Sequence, residues 1–434
     1  MVHEDDITPK RFQRIAHSLL FWVLLAIVLG ALLGQILPTW AIVPFATFND
    51  IFGQFLGFAV PMIILGLVAP AIYELGSSGG KWLLITVALA YGSTMVAGFS
   101  TWGLASLIFP HLLAGQAVDE TLAEPANAVS SVLAGNLQLN PVFDVLTALV
   151  LAFVLGLGMS AVKAEKMGAI LQEFRSLMMK VITKVIVPLL PLHILGIFMN
   201  MSKSGQFVAV IITMAKVIVF AFVLTVVMLL LQYSIAGIVA KRNPLSALWG
   251  MRDAYVTALG TASSAATIPV TVRCARKNGV SPEISDFVIP LCATIHLAGS
   301  MIKITAFALA LAQIMHIAVT PGQMVGFIVL LGVIMVAAPG VPGGAIAAAQ
   351  GVLQGVLAFT DPMYGIMVAM YVAVDSFGTA TNVTGDGAIA IVVNKLAGGS
   401  LGENSSETVA IADSIATNRK EKYRSRRAHT VEGK

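Results

Sequence analysis

The feature that most constrains this chain is a pair of carboxylates, Asp375 and Asp386, inside a run otherwise apolar enough to span a bilayer. An ionisable side chain at membrane depth is costly, and it marks a functional site by default. Four polar residues of this run recur at i, i+4, i+7 and i+11, so in a helix they share one stripe: Asp375, Thr379, Asn382 and Asp386. The stripe must face protein, water or ions. The alternative is a hydrogen-bonded packing seam between helices, which rarely contains two acids.

Composition places the chain among membrane proteins. Of its 434 residues 57% are hydrophobic and only 11% are charged, which exceeds what a soluble core needs. The formal net charge of +4 comes from residues near the ends and in short loops, so it reports topology rather than nucleic-acid binding. Cys274 and Cys292 are the only cysteines, which excludes a disulfide framework or a multi-cysteine metal site. We therefore predict an all-α, multi-pass protein of the cell membrane with no nucleic-acid partner.

Hydropathy predicts about eight transmembrane helices and two interrupted segments. Runs long enough to cross ~30 Å of hydrocarbon lie near 16–38, 51–75, 81–110, 141–162, 184–202, 206–239, 282–315 and 362–395. Two further apolar segments, near 247–278 and 325–358, are broken by small residues and proline at Ala262–Pro269 and Ala337–Gly344. Such segments are typical of re-entrant hairpins, although a continuous kinked helix is the alternative for each.

Loop charges predict the orientation of these spans. Lys and Arg recur in alternate loops and in the C-terminal tail, whereas the connection near 112–140 contains Asp119, Glu120 and Glu124 and no Lys or Arg. Because positive charge marks the cytoplasmic side, both termini are predicted to be cytoplasmic and the two hairpins to open from opposite sides. Two oppositely oriented hairpins, each followed by a span, form an inverted repeat. Alternating-access transporters build this arrangement around a site at the membrane midplane.

Several strings in the C-terminal half resemble one family of transporters. The strings are Asn382–Asp386, Gly340–Gly343, Thr267–Thr271 and Ile289–Ile295. Together they are similar to motifs of the dicarboxylate/amino acid:cation symporter family, which has the glutamate-transporter fold. The similarity is strongest over about 255–395 and co-linear before it.

The resemblance implies a homotrimer in which a fixed scaffold carries a transport domain that moves as an elevator. It assigns 1–80 and 141–205 to the scaffold, and 81–110 and 206–397, with both hairpins, to the transport domain. Residues 111–140 are then an extracellular loop and residues 398–434 a cytoplasmic tail.

The resemblance also implies a substrate site. Asp375 matches the acid that holds a substrate α-amino group, and Thr379 and Asn382 match positions that contact the substrate amine or carboxylate. Unpaired backbone N–H groups at the hairpin tips suit a carboxylate. The predicted substrate-binding residues are Ser263, Ser264, Ser300, Gly340, Val341, Pro342, Gly343, Asp375, Gly378, Thr379 and Asn382.

Gly378 bears on the choice of substrate. It stands where acidic-substrate members carry arginine, so no guanidinium is left to pair with a side-chain carboxylate. A small neutral amino acid is therefore the favoured substrate, and a C4-dicarboxylate or acidic amino acid is the alternative within the fold. Alternatives of other classes are an ion channel, whose pore would want rings of charge or carbonyls, and a membrane enzyme. No constellation of nucleophile and base or of metal ligands favours an enzyme.

Cation sites are implied by the same resemblance. A candidate Na⁺ site consists of His296, Asn382, Asp386 and the backbone carbonyl of Cys292, and a second candidate site includes Thr294. The polar string Tyr91–Thr94 in the third span lies where relatives place hydroxyl ligands for cations, although Ser and Thr also pack helices closely.

The seventh span departs from the family pattern. Where the family has Asn-Met-Asp-Gly-Thr, this chain reads His296-Leu-Ala-Gly-Ser, so a carboxylate ligand has become Ala298 and an amide has become His296. One cation site is therefore predicted to be missing. Lys303 lies seven residues after His296, and its ammonium near Asp375 or Asp386 would replace an absent ion. We assign coupling roles to His296 and Lys303, with purely structural roles as the alternative, and predict symport driven by Na⁺, H⁺ or both without any other cofactor.

Overall fold

The computed structural model describes residues 19–77, 80–114, 139–203, 205, 207–338 and 343–400. Across these ranges the chain forms helices and no β-strand, so the predicted all-α class is confirmed. Several sequence-based predictions fall outside the described residues. They concern the hairpin-tip residues Gly340, Val341 and Pro342, most of the loop 111–140, and the tail beyond residue 400.

Except for the third, which packs against later helices, the N-terminal helices pack mainly on one another. They are α1 (Leu19–Ile36), α2 (Thr39–Ser77), α3 (Lys81–Leu112), α4 (Val145–Ala161), α5 (Glu165–Val181) and α6 (Val187–Lys203), with a π-helical turn, Ile182–Ile186, joining the last two. α2 packs against α4, α5 and α6, and α1 lies along α6. Gly34 permits this approach, because a Cβ there would lie 2.9 Å from the Cβ of Ser202. The Ser202 hydroxyl donates to the carbonyl of Ala31 at 2.7 Å, which ties α6 to α1.

The remaining helices include the last one, which is largely buried. They are α7 (Phe207–Ala240), α8 (Pro244–Gly250), α9 (Arg252–Thr261), α10 (Ser264–Lys277), α11 (Pro282–Ile295), α12 (Ala298–Ile314), α13 (Pro321–Ala337), α14 (Gly344–Leu357), α15 (Asp361–Ala373) and α16 (Asp375–Leu396). α16 packs against α7 and α9 to α12, and every residue from 378 to 393 is buried. A helix buried on all sides carries its polar stripe into protein rather than into lipid.

The number of long apolar helices is slightly below the prediction. Six of the helices in the described part of the chain are long and apolar enough to cross a membrane, or seven if α15 and α16 count as one span. The predicted span 141–162 corresponds to α4, which has 17 residues. This length is at the lower limit of the roughly 17–25 residues usual for a transmembrane helix. The chain is a polytopic membrane protein, and its described residues contain six or seven of the roughly eight predicted spans.

Two predicted spans are broken inside the protein. α11 ends at Ile295 and α12 begins at Ala298, because His296 adopts an extended conformation with φ −105° and ψ 103°. α15 and α16 meet at Val374 with a bend of 63°. Lys303 therefore does not lie on the same continuous helix as His296, which differs from the sequence-based expectation. The breaks place the N-terminal ends of α12 and α16 within the packed interior.

Both interrupted segments form helix pairs. Ala262, in the left-handed conformation with φ +46°, and Ser263 separate α9 from α10, and residues 338–343 separate α13 from α14. The members of each pair pack against each other. The predicted interruptions thus lie at helix junctions, whereas the re-entrant topology, the inverted repeat and the division into scaffold and transport domains stay predictions.

Candidate functional site

The carboxylate of Asp375 lies where three helices meet. Asp375 is the first residue of α16, directly after the break at Val374. Its Oδ1 is 3.1 Å from Nζ of Lys303 on α12, and both side chains are buried. Its Oδ2 accepts a hydrogen bond of 2.9 Å from the backbone N–H of Gly343, which precedes α14. Both carboxylate oxygens are therefore engaged, one by an ammonium and one by the start of the second helix pair.

The ammonium of Lys303 is surrounded by groups that attract a cation. Besides Asp375, its Nζ lies 3.4 Å from the carbonyl oxygen of Val374 and 3.8 Å from the centre of the Tyr371 ring. The ring face attracts a cation, and the attraction strengthens when water is excluded. Lys303 is 2% exposed. Of the two acids named from the sequence as neighbours for this ammonium, the structure pairs it with Asp375.

Gly378 makes room for Lys303. A Cβ built on Gly378 would lie 2.5 Å from Nζ of Lys303, which real contacts do not allow. On the other side of the same contact, a Cβ on Gly299 would lie 2.6 Å from the carbonyl oxygen of Gly378. α12 and α16 therefore touch through two glycines. The sequence alone indicated no cation at position 378, whereas the folded chain brings the Lys303 ammonium into that space.

Ser300 and Asn382 complete this cluster. Oδ1 of Asn382 accepts the N–H of Gly299 at 2.8 Å, which satisfies a donor in the first turn of α12. Nδ2 of Asn382 lies 3.4 Å from Oγ of Ser300, and that hydroxyl is 2.8 Å from the Tyr371 hydroxyl. Thr379 differs, because its hydroxyl donates at 3.0 Å to the carbonyl of Asp375, one turn back on its own helix.

His296 and Asp386 form a second buried cluster. Nδ1 of His296 is 2.9 Å from Oδ1 of Asp386, and both side chains are fully buried. Nε2 of His296 lies 3.1 Å from the Ser93 hydroxyl and 3.3 Å from Nε2 of Gln232, which itself donates to Ser93 at 2.8 Å. Ser93 belongs to the Tyr91–Thr94 string. One hydroxyl of that string therefore contacts His296, a predicted cation ligand.

Three buried side-chain oxygens of α7 and α16 have no hydrogen-bond partner among the described residues. They are Oδ2 of Asp386, Oε1 of Gln232 and Oγ1 of Thr384. The backbone of Gly385 lies against the Gln232 side chain, because a Cβ there would be 2.7 Å from Oε1. Buried polar atoms are nearly always paired, so unpaired oxygens mark a place for a cation, a proton or water. Oxygen ligands are the kind that hard cations prefer.

The other predicted cation ligands are bonded within their own helix. The carbonyl of Cys292 accepts the N–H of His296 at 2.8 Å. The hydroxyl of Thr294 donates to the carbonyl of Leu291 at 2.7 Å. The fold therefore joins His296 to Asp386 and leaves Cys292 and Thr294 engaged by local bonds.

The first helix pair contributes Ser263 and Ser264, which are both buried. The hydroxyl of Ser263 accepts the N–H of Ala266 at 3.3 Å, which makes Ser263 the N-cap of α10. Its carbonyl accepts the hydroxyl of Thr267 at 2.8 Å. These bonds stay within the pair, although α9 and α10 both pack against α16.

Sequence reasoning missed Tyr371 and Gln232. Tyr371 lies in an apolar run, where an aromatic residue is normally core. Gln232 carried a usable signal, because no charged residue and no other amide occurs between Lys216 and Lys241 on α7. A single amide on a long apolar helix indicates a polar partner inside the protein.

Comparison with known proteins identifies relatives of this chain. The model of the sodium:dicarboxylate symporter family matches residues 19–396. The serine/threonine transporter SstT of Streptococcus suis is 27% identical over 330 residues, which cover 74% of this chain and 91% of that protein. Excitatory amino acid transporter 2 of Mus musculus is 26% identical over 277 residues, which cover 62% of this chain and 48% of that protein. The match therefore spans about half the length of the excitatory amino acid transporter.

Proposed function

The chain belongs to the sodium:dicarboxylate symporter family, and we propose that it is a secondary active transporter that carries a small neutral amino acid together with Na⁺, H⁺ or both. Its relatives in the comparison are transporters and not enzymes. SstT, a serine/threonine transporter, matches over most of its own length, which supports a small neutral substrate.

The observation that carries this proposal is the pairing of Asp375 with the N–H of Gly343. It brings a buried acceptor for an amine beside the start of α14, where backbone N–H groups and the positive end of the helix suit a carboxylate. An α-amino acid carries both of these groups on adjacent atoms. The hydroxyl of Ser300 and the amide of Asn382 lie in the same cluster. We keep as the proposed substrate-binding residues the full set that the family resemblance implies: Ser263, Ser264, Ser300, Gly340, Val341, Pro342, Gly343, Asp375, Gly378, Thr379 and Asn382.

A C4-dicarboxylate or acidic amino acid is the second candidate substrate. The observation that favours it is the ion pair between Lys303 and Asp375. A carboxylate substrate without an amine would meet a repelling charge at an unpaired Asp375, but the nearby ammonium of Lys303 offsets that charge.

Coupling is assigned to the His296–Asp386 cluster. The unpaired oxygens of Asp386 and Gln232 are candidate ligands for a single Na⁺, with Asn382 and the Cys292 carbonyl as the other ligands that the family pattern implies. An ion channel would instead need a continuous pore lined by charge or carbonyls. The burial of α16 from 378 to 393 argues against such a pore along this helix.

The proposed scaffold and transport domain are two sets of helices. We propose that α1, α2 and α4 to α6 form the scaffold of a homotrimer, and that α3 and α7 to α16 form a transport domain that moves as an elevator. The two sets pack mostly within themselves. Both termini are proposed to be cytoplasmic. Mass measurement of the purified protein in detergent tests the trimer, and any other stoichiometry contradicts it.

Uptake into proteoliposomes tests the function. The panel is alanine, serine, threonine, aspartate, glutamate, succinate and fumarate, each with and without an inward Na⁺ gradient and with a pH gradient. We expect saturable accumulation of alanine, serine or threonine against a gradient, with the label recovered unchanged. Non-saturating flux would indicate a channel, and stronger uptake of dicarboxylates would establish the second candidate.

A further inference from the structure

The Lys303–Asp375 pair places a cation of this chain at the carboxylate that would bind a substrate amine. A buried carboxylate requires a compensating cation. If Asp375 holds the substrate amine, as the proposed function requires, an incoming ammonium supplies that charge. In this chain Nζ of Lys303 already lies 3.1 Å from Oδ1 of Asp375.

We propose that Lys303 is a specificity-determining residue, which occupies the amine position beside Asp375 and thereby relaxes the requirement for an α-amino group on the substrate. The ammonium cancels the charge of Asp375, so a small carboxylate without an amine can enter the site without meeting an uncompensated acid. A substrate that has an amine must compete with Lys303 for the same oxygen. The inference rests on the proposed function and adds the residue that decides between small carboxylates with and without an α-amino group.

Three features of the site support a role for this lysine beyond packing. Its ammonium has several partners, since Val374 gives a carbonyl oxygen and Tyr371 a ring face in addition to the acid. Gly378 lacks the side chain that would exclude the ammonium. The other oxygen of Asp375 binds the N–H of Gly343, so a change of partner at Asp375 bears directly on the start of α14.

The test compares substrates that differ only in the α-amino group. The pairs are alanine with propionate, serine with glycerate, and aspartate with succinate, and the measured quantity is the ratio of kcat/KM for the amine-bearing member to that for the amine-free member. Lys303→Met keeps the length of the side chain and removes its charge. We expect this variant to raise the ratio at least about tenfold, equivalent to about 1.4 kcal/mol, because Asp375 alone then repels amine-free carboxylates.

Removing the charge of the acid instead of the charge of the lysine should have the opposite effect on this ratio. In Asp375→Asn the ammonium is free to pair with a substrate carboxylate, so the ratio should fall below that of the unmodified protein. The double variant Lys303→Met/Asp375→Asn contains neither charge, and its ratio should lie between those of the single variants. Because the double variant buries no unpaired charge, we expect it to fold. Its ratio can therefore be compared with that of the unmodified protein even if a single variant does not fold.

Lys216→Met is the matched control. Its Nζ donates at 3.1 Å to the carbonyl of Leu112, between α7 and α3, so its loss should leave the ratio unchanged. The proposal is contradicted if the ratio is the same in the unmodified protein and in folded Lys303→Met. It is also contradicted if the ratio shifts in the same direction in both single variants, and Lys303 would then have only a packing role. If the unmodified protein accumulates no member of the pairs, the proposed function itself is wrong.

Discussion

His296 and Asp386 are fully buried and paired, with Nδ1 of the imidazole 2.9 Å from Oδ1 of the carboxylate. One oxygen of a predicted sodium ligand is thus bound by a side chain of the protein itself. The other oxygen, Oδ2, has no partner among the described residues. The site therefore offers fewer free carboxylate oxygens to ions than the family pattern implies.

The first prediction concerns the number of coupled sodium ions. Ala298 stands where the family has a carboxylate ligand, and His296 takes one oxygen of Asp386. We expect a shallow dependence of uptake on Na⁺, with a Hill slope near one, or no dependence. Initial rates across a Na⁺ series at constant ionic strength measure the slope. A steep, multi-ion dependence that survives both Lys303→Met and His296→Asn would contradict this expectation.

The second prediction concerns the stability of the same pair. His296→Leu leaves the Asp386 carboxylate buried without its partner. Removing one member of a buried pair costs about 3–5 kcal/mol, so the purified variant should unfold at a clearly lower temperature. His111→Leu is the matched control, because this histidine is exposed near the end of α3. It should change the unfolding temperature little. Similar shifts in both variants would mean that the His296–Asp386 contact contributes no special stability.

The polar stripe on α16 was predictable because it depends only on local spacing. Asp375, Asn382 and Asp386 recur at helical intervals, and the structure buries all three on one helix. The interruptions of the two helix pairs were predictable for the same reason, since small residues and proline mark them directly in the sequence.

The contacts across the site could not be read from spacing. Lys303 reaches Asp375 because α11 and α12 break at His296 and because α15 bends into α16 at Val374. Neither His296 nor Val374 is a helix-breaking residue type, so tertiary packing overrides local propensity at both breaks. Gly378 shows the consequence. The sequence alone indicates a missing charge at this position, whereas the fold fills the space with the ammonium of a residue 75 positions earlier in the chain.

The third prediction concerns Gly378 together with Lys303. From the sequence alone, Gly378→Arg should simply add a binding group for acidic substrates. In the fold, an arginine at 378 displaces the end of the Lys303 side chain and adds a second buried cation beside one acid. The single variant should therefore lose transport and stability. Gly378→Arg combined with Lys303→Ala should regain both, because the guanidinium then has space and replaces the lost ammonium at Asp375.

Uptake and thermal unfolding of these variants provide the measurement. Gly326→Ala on α13 is the control for a helical glycine, because a Cβ there meets nothing within 4 Å. The regained transport should favour aspartate and glutamate over alanine and serine, since an arginine can pair with a side-chain carboxylate. A fully active Gly378→Arg single variant would contradict the packing of Lys303 against this glycine.

The last prediction concerns Gln232, the amide that sequence reasoning missed. Its Nε2 donates to Ser93 at 2.8 Å, and its Oε1 is buried without a partner among the described residues. If Oε1 helps to bind the coupling cation, Gln232→Leu should weaken the apparent cation affinity about five- to tenfold, because loss of one such polar contact costs on the order of 1 kcal/mol. Gln313→Leu is the control, since this exposed amide bonds the carbonyl of Phe109 at 3.2 Å, away from the His296 cluster. The cation concentration for half-maximal uptake is measured at saturating substrate, and the substrate KM at saturating cation. A change confined to the substrate KM would assign Gln232 to the substrate site, and equal effects of the two substitutions would leave it a packing residue.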